Sequence, residues 1–137
     1  MGRRVFIDSS FVEVLLDRTD DRYDAARAVI DRLLLEFERS ATLLYSHEGV
    51  VAAVGDDRAS DVLKICDVVP LRRWLTRCAA RVERAHPELG RRHAITVVLM
   101  RRWRIGEIAS FDPFFAQHGI PSVPDNPDAS SNDPSRR

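Results

Sequence analysis

The stretch Arg3–Asp17, "RRVFIDSSFVEVLLD", decides the fold of this chain. Val5, Phe6 and Ile7 form an unbroken apolar run, which is typical of a parallel strand covered on both faces. The run ends on a carboxylate, Asp8, followed by two hydroxyl side chains. A buried carboxylate is costly unless it is hydrogen-bonded, paired or metal-bound. The sequence therefore predicts that a partner for Asp8 lies elsewhere in the chain.

Size and composition indicate an ordinary globular protein. The chain has 137 residues, of which 45% are hydrophobic and 31% charged, and this favours a single domain. Its 21 basic residues balance 21 acidic ones, so net charge does not point to nucleic acid or to a membrane. No segment approaches the roughly 18 to 20 apolar residues of a membrane span. The first residues are too short and too mixed for a signal peptide, so we expect a cytoplasmic protein.

Strand-like and helix-like segments alternate along the chain. A short helix is predicted through Leu16, and a longer one from Asp20 or Asp21 with one apolar stripe. "SATLLYS", "CDVVPL" and "GEIASF" favour strands, and "IPSVP" a possible edge strand. A buried helix start is expected at residues 47–54, and further helices in "DDRASDVLKI", "RRWLTRCAARVERA" and "RRHAITVVLMRRW". This alternation predicts an α/β domain with a mostly parallel sheet.

The C-terminal segment differs in composition from the rest of the chain. From Asp125 onward, "DNPDASSNDPSRR" contains no core-forming residue and is expected to be disordered. We therefore predict a domain at residues 1–124 and a disordered tail at residues 125–137. The two cysteines, Cys66 and Cys78, lack the spacing of a zinc site and are expected to be free thiols.

Two of the predicted strands lead into an aspartate. V-F-I stops at Asp8, and I-A-S-F stops at Asp112. Parallel α/β sheets place their ligand sites at the carboxyl ends of the strands. If these strands are neighbours, the two carboxylates repel each other unless a cation lies between them, and oxygen ligands suit Mg²⁺ or Mn²⁺. The alternative is that each aspartate merely caps the helix after it, and spacing alone leaves both interpretations open.

The order of these motifs resembles the PIN-domain family, the fold of the VapC toxins of bacterial toxin–antitoxin pairs. "VFIDSSFVEVLLD" is similar to the family's opening strand, acid and short helix, and "DDRYDAARAVIDRLL" to its second helix. "IASFDPFFAQHGI" is similar to its closing segment. The resemblance runs from about Val5 to about Val123. It implies a three-layer α/β/α fold and a metal-dependent endoribonuclease that hydrolyses RNA phosphodiesters.

The resemblance also implies a set of catalytic acids around one or two Mg²⁺ or Mn²⁺ ions. Asp8 matches the first acid and Asp112 the last. The slot of the second acid falls on Gly49, next to Glu48, and a shift of one residue turns a helical side chain by about 100 degrees. Glu48 is thus either a further catalytic and metal-binding residue or a helix N-terminal charge favoured by the dipole.

The slot of the third acid holds His93, in "GRRHAITVVLM". A neutral imidazole at this place removes one negative charge and favours Mn²⁺ or Zn²⁺ over Mg²⁺. The positive helix end, together with Arg91 and Arg92, favours the neutral ring. The alternative is a histidine that is only hydrogen-bonded at the start of a helix.

Polar neighbours of these residues have supporting roles in this hypothesis. Ser9 and Ser110 flank the two acids and are expected to hold them by hydrogen bonds, although helix capping explains Ser9 equally well. Arg91 and Arg92 are candidates for contact with RNA phosphate, with a solvated helix face as the alternative.

Three functions are compatible with these patterns. The first is an active ribonuclease, the toxin of a pair, held in check by an antitoxin protein. The second is a PIN-fold protein that has lost catalysis and binds RNA or a protein partner. The third is a structural α/β domain in which the carboxylates are only caps. We favour the first, and the resemblance further implies a homodimer.

Overall fold

The computed structural model describes residues 2–55 and 60–124. The elements in chain order are β1 (Arg3–Ile7), α1 (Ser9–Leu15), α2 (Tyr23–Glu38), β2 (Thr42–His47), α3 (Glu48–Val54), α4 (Ser60–Leu63), β3 (Asp67–Val69), α5 (Arg73–Ala85), α6 (Arg91–Arg102), β4 (Glu107–Ala109), α7 (Pro113–Gln117) and β5 (Ser122–Val123). The predicted tail at residues 125–137 lies outside the described residues. None of the helices in the two described ranges is long and apolar enough to cross a membrane.

The five strands form one sheet in the order β3-β2-β1-β4-β5. Every neighbouring pair is parallel, so the predicted mostly parallel α/β/α fold is confirmed. The first strand lies at the centre, with β2 on one side and β4 on the other, and Ile7 stands opposite Ala109. The two strands that lead into Asp8 and Asp112 are therefore direct neighbours.

The core forms where the hydrophobic pattern predicts it. Val5, Phe6 and Ile7 are completely buried, as expected for a central parallel strand. Burial of a large apolar side chain contributes on the order of 2 kcal/mol. One stripe of α2 (Ala26, Ile30, Leu33) is also buried, and α6 buries most of its middle, from Ala94 to Val97. The carboxyl end of β1, which carries Asp8, is thus anchored by helices on both faces of the sheet.

Three helices differ from the sequence-based prediction. The second helix begins at Tyr23 rather than at Asp20 or Asp21, because the Asp20 carboxylate accepts a hydrogen bond from the Arg22 N–H at 2.8 Å and forms a turn. In α3, Val50 is the one buried residue, so this helix is mostly exposed and the predicted burial is wrong. Of the helix predicted at residues 56–65, the structure describes α4 alone, and residues 56–59 lie outside the described ranges.

A buried histidine joins β2, α3 and α6. His47 Nδ1 accepts a hydrogen bond from the Gly49 N–H at 3.0 Å and so caps α3. Its Nε2 lies 3.0 Å from Thr96 Oγ1, and the Thr96 hydroxyl donates to the Arg92 carbonyl at 3.1 Å. Because Nδ1 accepts, Nε2 carries the proton and donates to Thr96. The ring is therefore held in one neutral tautomer.

The position next to this ring requires glycine. A Cβ atom at Gly49 would lie 2.8 Å from His47 Cε1 and 2.9 Å from its Nδ1, closer than such atoms approach. The acid that the resemblance places at position 49 is thus sterically incompatible with the histidine cap. The His47 cap therefore depends on glycine at position 49.

Burial lowers the pKa of His47 to about 4, because desolvation disfavours the charged imidazolium. The unfolded chain binds this proton near pH 6.5 and the folded chain only near pH 4. The stability contributed by the neutral ring is therefore fully present above pH 6.5 and is lost as the pH falls toward 4. At about 1.4 kcal/mol per pKa unit, we expect a loss on the order of 3 kcal/mol in the free energy of unfolding.

The control is His47→Asn, whose side-chain oxygen still caps α3 but does not titrate. Urea unfolding of both proteins from pH 7.5 to pH 4 measures the effect, and the difference between them isolates His47 from other acid-labile groups. If the free energy of unfolding falls with pH by the same amount in both proteins, the assignment of this loss to His47 is contradicted.

Candidate metal centre

The Asp8 side chain lies at the carboxyl end of β1 and is completely buried. Its backbone N–H donates to the Ala109 carbonyl at 3.0 Å, which fixes it against the end of β4. Its Oδ2 accepts hydrogen bonds from Ser10 Oγ at 2.8 Å and from Ser110 Oγ at 2.9 Å. One oxygen of the carboxylate is thus held by two hydroxyls from different segments.

The orientation of both hydroxyls is set by the backbone that follows β4. The N–H of Phe111 donates to Ser10 Oγ, and the N–H of Asp112 donates to Ser110 Oγ, each at 3.0 Å. Each hydroxyl accepts from a peptide N–H and so has its single proton available for Asp8 Oδ2. The segment that carries Asp112 therefore also orients Asp8.

The serine pair differs in one member from the prediction. Ser110 lies where it was expected, but Ser10 rather than Ser9 completes the pair. Ser9 is buried, and within residues 2–55 and 60–124 its side chain makes no hydrogen bond to either acid. Successive helical side chains differ by about 100 degrees, so only one of the two serines can face Ser110. The motif D-S-S indicates that a serine beside Asp8 binds its carboxylate, but it does not indicate which of the two serines does so.

Asp112 serves two purposes with its two oxygens. Its Oδ1 accepts a hydrogen bond from the Phe114 N–H at 2.9 Å, which makes it the N-cap of α7. Its Oδ2 lies 3.3 Å from His93 Nε2. The capping interpretation and the site interpretation are therefore both compatible with this residue, because each uses a different oxygen.

His93 lies between the two carboxylates. Its Nδ1 is 3.2 Å from the Leu89 carbonyl, which can only accept, so Nδ1 carries the proton. Its Nε2 lies 3.9 Å from Asp8 Oδ2 and 3.3 Å from Asp112 Oδ2. The ring packs edge-on against Phe115, with 5.5 Å between centroids. In the neutral ring, a nitrogen lone pair thus faces the two carboxylates.

These three side chains fit a divalent cation. Asp8 Oδ1 is buried and has no hydrogen-bond partner in the part of the chain that the structure describes. An unpaired buried carboxylate oxygen is strongly unfavourable. A cation held by Asp8, His93 and Asp112 would remove this penalty. Two carboxylates suit Mg²⁺ or Mn²⁺, and the imidazole shifts the preference toward Mn²⁺ or Zn²⁺.

Glu48 does not join this group. It is exposed at the first position of α3, and its Oε2 accepts a hydrogen bond from the Leu71 N–H, just beyond β3, at 3.1 Å. Among the described residues, no hydrogen bond or ion pair connects Glu48 with Asp8, His93 or Asp112. The Glu48 carboxylate is therefore directed toward the loop beyond β3 and stabilises it, and none of these contacts links it to the candidate centre.

The two predicted RNA-binding arginines differ in their surroundings. Both are exposed at the start of α6, directly before His93. Arg91 forms an ion pair with Glu83 of α5, which holds its guanidinium against the neighbouring helix. The Arg92 side chain is exposed and, within residues 2–55 and 60–124, takes part in no ion pair. Arg92 is therefore the better candidate for a phosphate contact.

Comparison with known proteins gives a result at the level of the fold. No protein-family model matches the sequence, and no curated protein matches it significantly. Among solved structures, the chain is similar to Mycobacterium tuberculosis VapC20, described as a sarcin–ricin loop cleaving toxin. The TM-score is 0.66 at 18% sequence identity, over 85% of this chain and 95% of that one. The chain therefore has a VapC-like PIN fold.

Proposed function

We propose that this protein is a metal-dependent endoribonuclease that hydrolyses RNA phosphodiesters, acting as the toxin of a toxin–antitoxin pair. The observation that carries the proposal is the buried Asp8 carboxylate, with one oxygen unpaired, beside His93 and Asp112 on a VapC-like PIN fold. The similar protein VapC20 is described as cleaving the sarcin–ricin loop, which supports RNA as the substrate class here.

In this proposal, Asp8 Oδ1, His93 Nε2 and Asp112 Oδ2 hold one or two Mg²⁺ or Mn²⁺ ions. Such an ion, when bound, activates a water molecule and stabilises charge that develops on the phosphate. Hydrolysis adds water to phosphorus and breaks the bond to one ester oxygen, which takes up a proton. With two carboxylates and one imidazole, the site carries less negative charge than the usual acidic set, so activity is expected to be weaker in Mg²⁺ than in Mn²⁺.

The chain's own contribution is to position its ligands before anything binds. The hydroxyls of Ser10 and Ser110 hold one Asp8 oxygen, the Leu89 carbonyl fixes the His93 tautomer, and the Phe114 N–H holds one Asp112 oxygen. In each case the second heteroatom of the side chain is left for the site. Ligands fixed in this way lose little freedom on binding, which favours affinity and rate.

An antitoxin protein and a second copy of the chain are the proposed partners, acting in the cytoplasm. The protein presents large apolar side chains that a partner would cover, with exposed fractions between 38% and 48%: Leu35, Leu43, Val51, Leu71 and Trp74. Where such side chains adjoin one another, they favour protein–protein contact. The RNA surface is expected to include Arg92.

The first test is cleavage of mixed RNA in Mg²⁺ and in Mn²⁺ by the wild type and by Asp8→Ala. We expect Asp8→Ala to lower the cleavage rate by more than about 100-fold, since it removes the only ligand with a buried unpaired oxygen. Glu48→Gln is the matched control, because its carboxylate binds the loop beyond β3, and its rate is expected to stay within about twofold. RNA binding without cleavage by the wild type would instead indicate the inactive PIN-fold alternative.

The second test separates Ser10 from Ser9. Ser10→Ala removes a hydroxyl that donates to Asp8 Oδ2, and we expect Mn²⁺ affinity to fall by about tenfold. Ser9→Ala is the control, because this side chain makes no contact with the acids among the described residues. Calorimetric titration with Mn²⁺ measures both. Equal affinities in the two variants would contradict the orienting role of Ser10.

The third test concerns the metal preference. We expect His93→Asp to raise the Mg²⁺-dependent cleavage rate by about tenfold, because a third carboxylate suits the harder ion. His93→Gln should lower the rate in both metals. The ratio of rates in Mg²⁺ and Mn²⁺ is the readout, and an unchanged ratio in His93→Asp would rule out His93 as a ligand.

A further inference from the structure

A second group of metal-ligating side chains lies apart from the Asp8 centre. It consists of His86, Glu88 and His118, each of which offers one ligand atom, and these atoms lie within 4.8 Å of one another. His86 is half-buried at the C-cap of α5, whereas Glu88 and His118 are exposed. Residues 86 and 118 are distant in sequence, so the tertiary fold alone brings them together.

The His118 ring is prepared for coordination through one nitrogen. Its Nδ1 lies 2.9 Å from the Phe114 carbonyl, so Nδ1 carries the proton and Nε2 keeps its lone pair. A hydrogen bond from the remote ring nitrogen to a backbone carbonyl is the usual support of a metal-bound histidine. The ring also stacks on Phe114, with 4.0 Å between centroids, which fixes its plane.

The His86 ring meets His118 and Glu88 together. The two imidazole centroids are 5.3 Å apart with an interplanar angle of 83°, and His86 Nδ1 lies 3.6 Å from Glu88 Oε1. An exposed ion pair of His86 with Glu88 would contribute at most about 1 kcal/mol and would not involve the second imidazole. Packing on Phe114 brings the two rings together, and a shared metal would engage Glu88 as well.

We propose that His86, Glu88 and His118 form a binding site for Zn²⁺ or a similar transition metal, with water completing the coordination. Two imidazoles and one carboxylate are a recurrent three-residue zinc set. Nitrogen ligands disfavour Mg²⁺ and Ca²⁺, and with two imidazoles and one carboxylate this site favours Zn²⁺ more strongly than the Asp8 centre does. A surface groove of about 690 Å³ borders both histidines and gives the metal and its water access from solvent.

The position of the site links it to the catalytic residues of the proposed function. His86 and Glu88 lie in the connection between α5 and α6, and His118 directly follows α7. The α6 helix carries His93, and α7 begins after its cap, Asp112. A metal here would tie together the two segments that hold those ligands. Because it binds the folded chain, it would also raise the free energy of unfolding in proportion to occupancy.

The experiment uses the full chain with the first centre disabled by Asp8→Asn and Asp112→Asn together. Calorimetric titration with Zn²⁺ is expected to show one ion bound per chain, together with a rise in the unfolding midpoint. Adding His118→Gln should weaken Zn²⁺ binding on the order of 100-fold, since one of three protein ligands is lost. Glu88→Gln should weaken it as well, whereas Glu38→Gln, at another exposed glutamate, should not.

The outcomes separate this proposal from the nuclease proposal. The zinc site would be overturned if the disabled chain does not bind Zn²⁺. It would also be overturned if adding His118→Gln or Glu88→Gln leaves the Zn²⁺ affinity of that chain unchanged. Either result would leave Mn²⁺-dependent RNA cleavage by the wild type unaffected. His118 and Glu88 are both exposed, so circular dichroism should show a native fold in each variant. If one of them does not fold, the other decides the question.

Discussion

A buried carboxylate at the end of a central strand imposes conditions on the chain around it. Asp8 is removed from water, and one of its oxygens is stabilised by two hydroxyls whose own orientation depends on two peptide N–H groups after β4. This arrangement exists only because β1 and β4 are parallel neighbours. The pairing of these strands, the choice of serines and the position of Asp112 are therefore parts of one hydrogen-bonded unit.

The other ligands of the candidate centre follow the same principle. Each of Asp8, His93 and Asp112 uses one heteroatom to bind the protein, and His93 Nε2 lies 3.3 Å from Asp112 Oδ2 and 3.9 Å from Asp8 Oδ2. Rigid support is provided by a helix start, a helix cap and a pair of hydroxyls. The centre has two acids and one imidazole, so it balances the charge of one divalent cation. The imidazole nitrogen is the physical reason to expect a shift from Mg²⁺ toward Mn²⁺, because Mg²⁺ prefers oxygen ligands.

A histidine organises the connection between β2 and α3. His47 caps α3 and reaches α6 through Thr96, and its ring occupies the space that a side chain at position 49 would need. Glu48 accepts a hydrogen bond from the Leu71 N–H in the loop beyond β3. A neutral buried imidazole thus connects the helix that follows β2 with the helix that carries His93. The segment around Gly49 is thus a coherent local structure with its own hydrogen bonds.

Local sequence determined the elements and the edge of the sheet where chemistry is expected. The apolar run before Asp8, the stripe of α2 and the strand before Asp112 are periodic or contiguous patterns, and such patterns report burial directly. Tertiary structure alone decided that Ser10 and not Ser9 meets Asp8, that Glu48 binds the Leu71 N–H, that His47 is a cap, and that His86 approaches His118. These outcomes depend on side-chain directions that differ by about 100 degrees per helical residue and on contacts between distant segments. No pattern within a short window of sequence contains that information.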